Sequence, residues 1–412
     1  MSDPTSNDNA ARLQEGWVRA PLARFLTPNV ESVDVDPEQT YPTVGVLNRG
    51  RGLLYRDPVA GSATSYKKLN RIGPGVLVYS RLKAFEGAIT ITPDDLPESF
   101  ASQEFPTFAF APDADPDFFR ILTTTQRMWD ALQGASKGMG GRRERVKPAD
   151  FLNIVMDIPP LPVQKRIVEV IGAVDDQITA LDSEAEAARR VRDRLLDEFT
   201  GAAVNGMKPL GELCPVIGSG PSWAAKDESS VPSEEAWTVL KITNTRPDGS
   251  IDLREMAYVV GLPARTKAVG PTSLVMIRTN GNRERIGNVY LPPEEVHGAA
   301  VSAFQFILDA TDVETRDYLY LVLRSPRTQH QMSESASGST GLGNLAVRWL
   351  KTLEIPWPAS EVREAQVESV RAIDAKIAAI RAEANQLRSV RGGLLAGLSD
   401  RTIEIESAEL EV

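Results

Sequence analysis

The same order of local patterns occurs twice along the 412 residues, at an offset near 198. That period is far too long for a solenoid unit. A Gly73-Pro74 turn leads into the β-prone run 76–81, and Gly270-Pro271 leads into 274–278. The runs 105–110 and 303–308 follow in the same way. Short β-prone runs bounded by turn residues predict buried or half-buried strands. Each copy continues with a polar helix-like stretch (118–132, then 316–332) and a loop rich in Gly and Ser (135–141, then 336–341). A hydrophobic strand running into proline, 154–162 or 353–358, closes each copy. A chain of this length is expected to hold two or three cores, and the repeat makes them two of similar design.

A long helical pattern follows each closing strand. Ile171, Val174, Ile178, Leu181, Ala185, Ala188, Arg192 and Leu195 fall at alternating spacings of 3 and 4. Val370, Ile373, Ile377, Ile380, Ala384, Leu387, Arg391 and Leu394 repeat them at offset 199. This is a heptad seam interrupted once in each copy by arginine. Two narrow seams in one register are most simply buried against each other, as an antiparallel coiled coil within one chain. The expected fold class is therefore α+β, with two similar globular domains, two long helices and a pseudo-two-fold repeat. The expected boundaries are a disordered leader at 1–19, a first domain at 20–157 and a spacer helix at 158–201. A second domain at 202–355, a spacer helix at 356–400 and an acidic tail at 401–412 complete the chain.

Composition excludes several chemistries. One cysteine, Cys214, permits no internal disulfide and fits a reducing compartment. The two histidines, His297 and His330, have no Cys or His at ligand spacing, so no metal site is expected. The polar N-terminus lacks a signal-peptide core, and no run approaches the length of a membrane span, so a cytoplasmic location is expected. Lys plus Arg is 46 against 56 Asp plus Glu, a net charge of −10. That total disfavours nucleic acid unless a local basic face offsets it.

The stretch Ile158-Pro159-Pro160-Leu161-Pro162-Val163-Gln164-Lys165-Arg166-Ile167-Val168 resembles the start of the central helix in type I restriction-modification specificity subunits. There a proline pair is followed by Gln and then Ile-Val. Lys208-Pro209-Leu210-Gly211-Glu212-Leu213, with Ile217-Gly218-Ser219-Gly220, resembles the opening of a target-recognition domain, and the Gly/Ser loop before Asn344-Leu345 resembles its close. The resemblance spans roughly residues 20–400. Val163 departs from the acidic residue common before the Gln, and the second copy reaches Gln366 only through a longer segment. The resemblance implies a non-catalytic subunit in which each domain reads one half of a split target on double-stranded DNA. Two modification (methyltransferase) subunits and restriction (motor-nuclease) subunits would dock on it in phage defence. S-adenosylmethionine would belong to the modification subunit, ATP and Mg to the restriction subunit, and no cofactor to this chain. Gln164, Ile171, Val174, Ile178, Leu181, Leu195, Val370, Ile373, Ile377, Ile380, Leu387 and Leu394 mark the helices expected to dock those partners. Because the two domains differ in sequence, an asymmetric bipartite site is expected.

Base readout needs Arg, Lys, Asn or Gln at base edges, with further cations and small polar groups on phosphates. The first copy offers Arg81 and Lys83 past a strand, and Lys137, Arg142, Arg143, Arg145 and Lys147 around its glycine loop. Lys67, Lys68 and Arg71 form a weaker patch. The second copy offers Arg278, Asn280, Asn282, Arg283 and Arg285 at the position equivalent to 80–83, then Ser339, Asn344 and Arg348 around its loop. A solvated turn explains either cluster alone; recurrence at equivalent places favours binding. Tyr79, Trp129 and Trp349 read as core aromatics. No methyl-donor loop, Asn-Pro-Pro-aromatic tetrapeptide or Walker loop occurs, and Gly338-Ser339-Thr340-Gly341-Leu342-Gly343 lacks the Gly-Lys-Ser/Thr ending. No catalysis is expected of the chain. The competing readings are a coiled-coil scaffold and an acidic DNA-mimic inhibitor of a restriction system.

Overall fold

The computed structural model describes residues 17–136, 145–201, 206–338 and 341–399. The expected leader (to residue 16) and acidic tail lie outside them. The chain divides into two compact units, Met1–Ala180 with Ala384–Val412, and Leu181–Glu383.

In unit 1 a four-stranded antiparallel sheet runs in the order Leu26–Pro28, Thr107–Phe110, Leu77–Tyr79, Ile89–Ile91. Helices α1 (Pro116–Thr123), α2 (Gln126–Ala135) and α3 (Pro148–Leu152) accompany it. Leu77, Tyr79, Phe108, Phe119, Met128, Leu132 and Phe151 form its core. A second sheet of five strands carries Thr40–Val46 and, at its edge, Leu53–Ala60. Val18–Pro21 pairs with Val155–Ile158, which brings the chain to helix α4 (Leu161–Gly201).

Unit 2 repeats the plan. Its four-stranded antiparallel sheet runs Val216–Ser219, Gln305–Asp309, Ser273–Ile277, Val289–Tyr290. Helices α5 (Leu210–Leu213), α6 (Val313–Leu323), α7 (Pro326–Ser335) and α8 (Val347–Lys351) belong to it. Met207–Pro209 pairs with Glu354–Pro356 just before helix α9 (Ser360–Ser399). Its second sheet has four strands instead of five.

Each helix-like stretch is broken in two where the sequence suggests one. The Thr125 side chain accepts from the Met128 backbone N–H, and the Ser325 side chain from that of Thr328. A hydroxyl that satisfies the first free N–H groups starts a new helix at that point. Asp115 and Asp312 cap α1 and α6 in the same way.

The heptad seams are covered. All sixteen seam positions are buried or half-buried, whereas neighbours such as Val191 and Val390 are exposed. Both seam arginines find an aspartate on the other helix. In unit 1 Arg391 Nε donates to Asp175 at 2.5 Å; in unit 2 Arg192 Nη1 donates to Asp374 at 3.2 Å. The two pairs are one pair at offset 199, since 192 and 391, like 175 and 374, differ by that number. Glu184 and Lys376 meet at 3.0 Å in unit 2. Within unit 2 the partner number falls from 376 to 374 as the other rises from 184 to 192, so these two helix segments run antiparallel. Burial opposes the Arg192 charge, but bonds to Asp193 and Asp374 overcome it and hold its pKa above the usual value.

The residues that mark the two long helices are covered to different degrees. Ile171, Ile178, Leu181, Val370, Ile377 and Ile380 are buried, and Val174, Leu195, Ile373, Leu387 and Leu394 half-buried, inside this chain. Gln164 is fully buried: its amide donates to the carbonyls of Pro159 (2.8 Å) and Asp113 (3.0 Å), and its oxygen accepts from the Asp115 N–H. Ile171 joins the core of unit 1 and Val370 that of unit 2. The second copy assigns the role of Gln164 to Arg363, at offset 199, and not to Gln366. Arg363 donates to the Pro358 carbonyl at 2.8 Å, pairs with Glu314 at 2.6 Å and lies 4.1 Å from the Trp357 ring centre.

Candidate nucleic-acid interface

The same backbone scaffold presents an arginine in both units. The Arg81 N–H donates to the Glu104 carbonyl, and the Arg81 carbonyl accepts from Val146, just past the glycine loop. In unit 2 the Arg278 N–H donates to Phe304, and its carbonyl accepts from Leu345, again just past the loop. Each strand-end segment is thus stitched to the far end of its own glycine loop. The sequence clusters, some 60 residues apart along the chain, become neighbours in each unit.

A glycine supports each scaffold from below. Gly87 (φ 74°) and Gly287 (φ 87°) adopt left-handed backbone, where a Cβ would sit 2.8 Å from Trp129 of α2 and from Met332 of α7, respectively. Only glycine takes that conformation and that proximity together without strain. Tyr79 is wholly buried, as expected of a core aromatic, and its hydroxyl donates to the Val146 carbonyl at 3.1 Å.

The side chains on the two scaffolds differ. In unit 1 Glu104 receives two guanidinium groups, Arg145 at 3.1 Å and Arg81 at 3.8 Å. Lys83 lies 3.6 Å from Glu86, and Lys147 is exposed ahead of α3. Lys137, Arg142 and Arg143 lie outside the described residues. In the weaker patch Lys68 pairs with Asp34 at 3.3 Å, and Arg71 with Glu98 at 3.2 Å and Glu31 at 3.5 Å, while Lys67 is exposed.

In unit 2 the network is built on an amide. Asn344 Oδ1 accepts from Arg278 Nε at 3.0 Å and from the Thr279 hydroxyl at 2.9 Å, while Thr279–Asn280 pairs with Gly343–Asn344 as a short ladder. Asn280 and Asn282 accept backbone N–H groups of their own turn. Arg285 donates to the Thr245 carbonyl at 2.8 Å. Arg278, Arg285 and Asn344 therefore shape the loop, whereas Arg283 presents an exposed side chain from it. Arg348 is exposed on α8, beyond the ladder, and Ser339 lies outside the described residues.

Sequence reading missed two features. Loop 245–254 of unit 2 touches this network through Thr245, and there Arg254 and then Arg246 hold the Asp252 carboxyl well below the usual range. In unit 1 the hairpin tip at Asn48–Gly52 docks beside Lys83; its signal was the run Asn48-Arg49-Gly50-Arg51-Gly52. Among the described residues no cluster of three or more His, Cys, Asp or Glu could hold a metal, and no helix is long and apolar enough to cross a membrane.

Comparison with known proteins gives the fold a class. No family model matches the chain, and no curated protein matches it in sequence. It is similar to a solved structure from work on complex assembly and conformational transition of the type I restriction-modification system. The two are 18% identical with a TM-score of 0.61, covering 94% of this chain and 98% of that one. It is also similar to the S subunit of a type I restriction-modification system from M. genitalium, at 14% identity and a TM-score of 0.50 over 98% and 99% of the two chains. The chain has the fold of a type I restriction-modification S subunit.

Proposed function

We propose that the chain is the DNA-recognition subunit of a type I restriction-modification complex and reads an asymmetric bipartite target. The observation that carries this reading is the repeated scaffold. One backbone arrangement presents polar loops twice, with an Arg–Glu–Arg cluster in unit 1 and an Arg–Asn–Thr network in unit 2. Equal frames with unequal side chains suit two unlike half-sites. The chain itself catalyses nothing in this reading. Methyltransferase subunits bearing S-adenosylmethionine and motor-nuclease subunits using ATP and Mg dock on it, through outward helix faces such as that of Arg166 because the seam is occupied. A scaffold or DNA mimic would have no use for paired, differently furnished loops.

Deleting the gene in its host and mapping modified adenines tests the proposal. Loss of one split motif with unlike halves is expected. An unchanged methylome, with an intact modification gene expressed, contradicts it.

A further inference from the structure

We infer that the hairpin tip of unit 1, carrying Arg49 and Arg51, is a second DNA-contacting element that grips the phosphodiester backbone beside the Arg81–Lys83 loop. The inference rests on the DNA-recognition reading and adds a surface to it.

Charge is the first observation. Residues 47–56 read Leu-Asn-Arg-Gly-Arg-Gly-Leu-Leu-Tyr-Arg, three arginines with no acid, in a chain of net charge −10. Arg49, Arg51 and Arg56 are all exposed, and among the described residues no carboxylate pairs with any of them. Elsewhere on the same sheet Lys68 and Arg71 are matched by acids.

Rigidity is the second. The Asn48 amide donates to Glu86 at 2.5 Å, and Glu86 also faces Lys83. The Arg49 N–H donates to the Gly87 carbonyl at 2.7 Å, on the glycine that supports the Arg81 scaffold. Gly50, at φ 65°, presses against the end of α1, where a Cβ would meet the Thr123 carbonyl at 2.8 Å. The Arg49 guanidinium lies 5.4 Å from the Trp129 ring centre, and Arg51 Nε donates to the Asn48 carbonyl at 3.0 Å. Two positive groups are thus held in place before any ligand arrives.

Backbone strain is the third. Arg49, at φ 60°, is the one non-glycine residue in the left-handed region among the described residues, although glycines flank the tip. Such a conformation is strained for a residue with a side chain and persists where the surroundings impose it. Here the surroundings are the contacts that fix the tip beside Lys83. Fixed guanidinium groups on a glycine turn suit phosphate oxygens, which carry charge and no sequence information. Unit 2 shows no such element among its described residues. The arginines of its loop 245–254, Arg246 and Arg254, both pair with Asp252.

The test uses the full chain. Wild-type protein first selects duplexes from a random library at low salt, and salt titrations then follow binding to a selected duplex and to a scrambled one. The variants are R49G/R51A, whose glycine accepts the left-handed backbone, R49K/R51K, which keeps the charge, and R194A, which removes an exposed cation of α4. Loss of both arginines should flatten the salt slope by about 2 and weaken binding about tenfold, equally on both duplexes. The lysine pair should restore most of the slope, and R194A should leave it unchanged. An unchanged slope in R49G/R51A with a normal melting curve overturns the inference. So does a loss confined to the selected duplex, which would mean base reading. Failure of wild type to enrich any sequence overturns the recognition reading itself, a result distinct from either.

Discussion

Units 1 and 2 share a frame and differ in what they hang on it. Sheet order, capping residues and supporting glycines correspond, and Arg81 and Arg278 hold the same two backbone bonds. The surroundings of those arginines do not correspond. Arg81 shares a carboxylate with Arg145, and a basic hairpin stands beside it; Arg278 is immobilised by a neutral amide. The comparison teaches that stability and readout are separable here. Core and caps repeat because both units solve one packing problem, and the loops diverge because nothing in that problem constrains them.

The largest expected difference lies in how the helices are held. Among the described residues Asp374 accepts from Arg192 and from Arg324 and is itself only partly exposed, whereas Asp175 accepts from Arg391 alone and is 44% exposed. Asp374→Ala leaves Arg324 without its carboxylate, while Arg192 keeps Asp193, and should cost about 2 kcal/mol, below the roughly 3–5 kcal/mol of a fully buried pair. Asp175→Ala should cost less than about 1 kcal/mol because water screens the pair. Urea unfolding of both variants checks the order. Equal losses would mean that the two seams are held alike.

The next contrast is electrostatic. Glu104→Gln frees Arg81 and Arg145, so DNA binding should tighten and its salt slope steepen by about 1 to 2. Asn344→Ala removes no charge; it should leave the slope alone and alter preference in one half-site only, as read by duplex selection. If both variants changed the slope, or both changed preference, the proposed division between the units would collapse.

Most of the frame was legible in the sequence, because packing leaves periodic marks. The seam showed itself through residues such as Ile171, Ile178, Val370 and Ile377 at heptad spacing, and the offset of 199 also brings Arg192 onto Arg391 and Asp175 onto Asp374. The strands stood out between turn residues. The helix breaks at Thr125 and Ser325 were hidden because hydrophobic periodicity runs across them, and only the capping hydroxyls mark the stop. Gln366 misled because residue type was followed there in place of position; the repeat offset leads to Arg363, which makes the same carbonyl contact. The candidate sites were legible as charge clusters and no further. Which arginine is spent internally depends on partners distant in sequence, as with Arg285 and Thr245. The hairpin at 48–52 lay more than 30 residues from the loop it joins, and no local pattern points across that distance.

The smallest effect concerns Cys214 in unit 2, for which unit 1 has no cysteine counterpart. Burial, with a lesser push from Asp309, raises its thiol from 9.0 to about 12. A raised pKa means that the folded state favours the neutral thiol. The stability this supplies is full below pH 9 and erodes as pH rises towards 12. Alkylation at pH 8 should therefore be slow until the unit unfolds. Rapid labelling of native protein would contradict this burial.

Separate reading of DNA by the two units is the central claim. The decisive measurement is the map of modified adenines in host cells carrying wild type or Arg283→Ala. The expected result is a split motif in wild type, with one half relaxed and the other retained in the variant. A motif that keeps both halves intact, or loses both together, would contradict it.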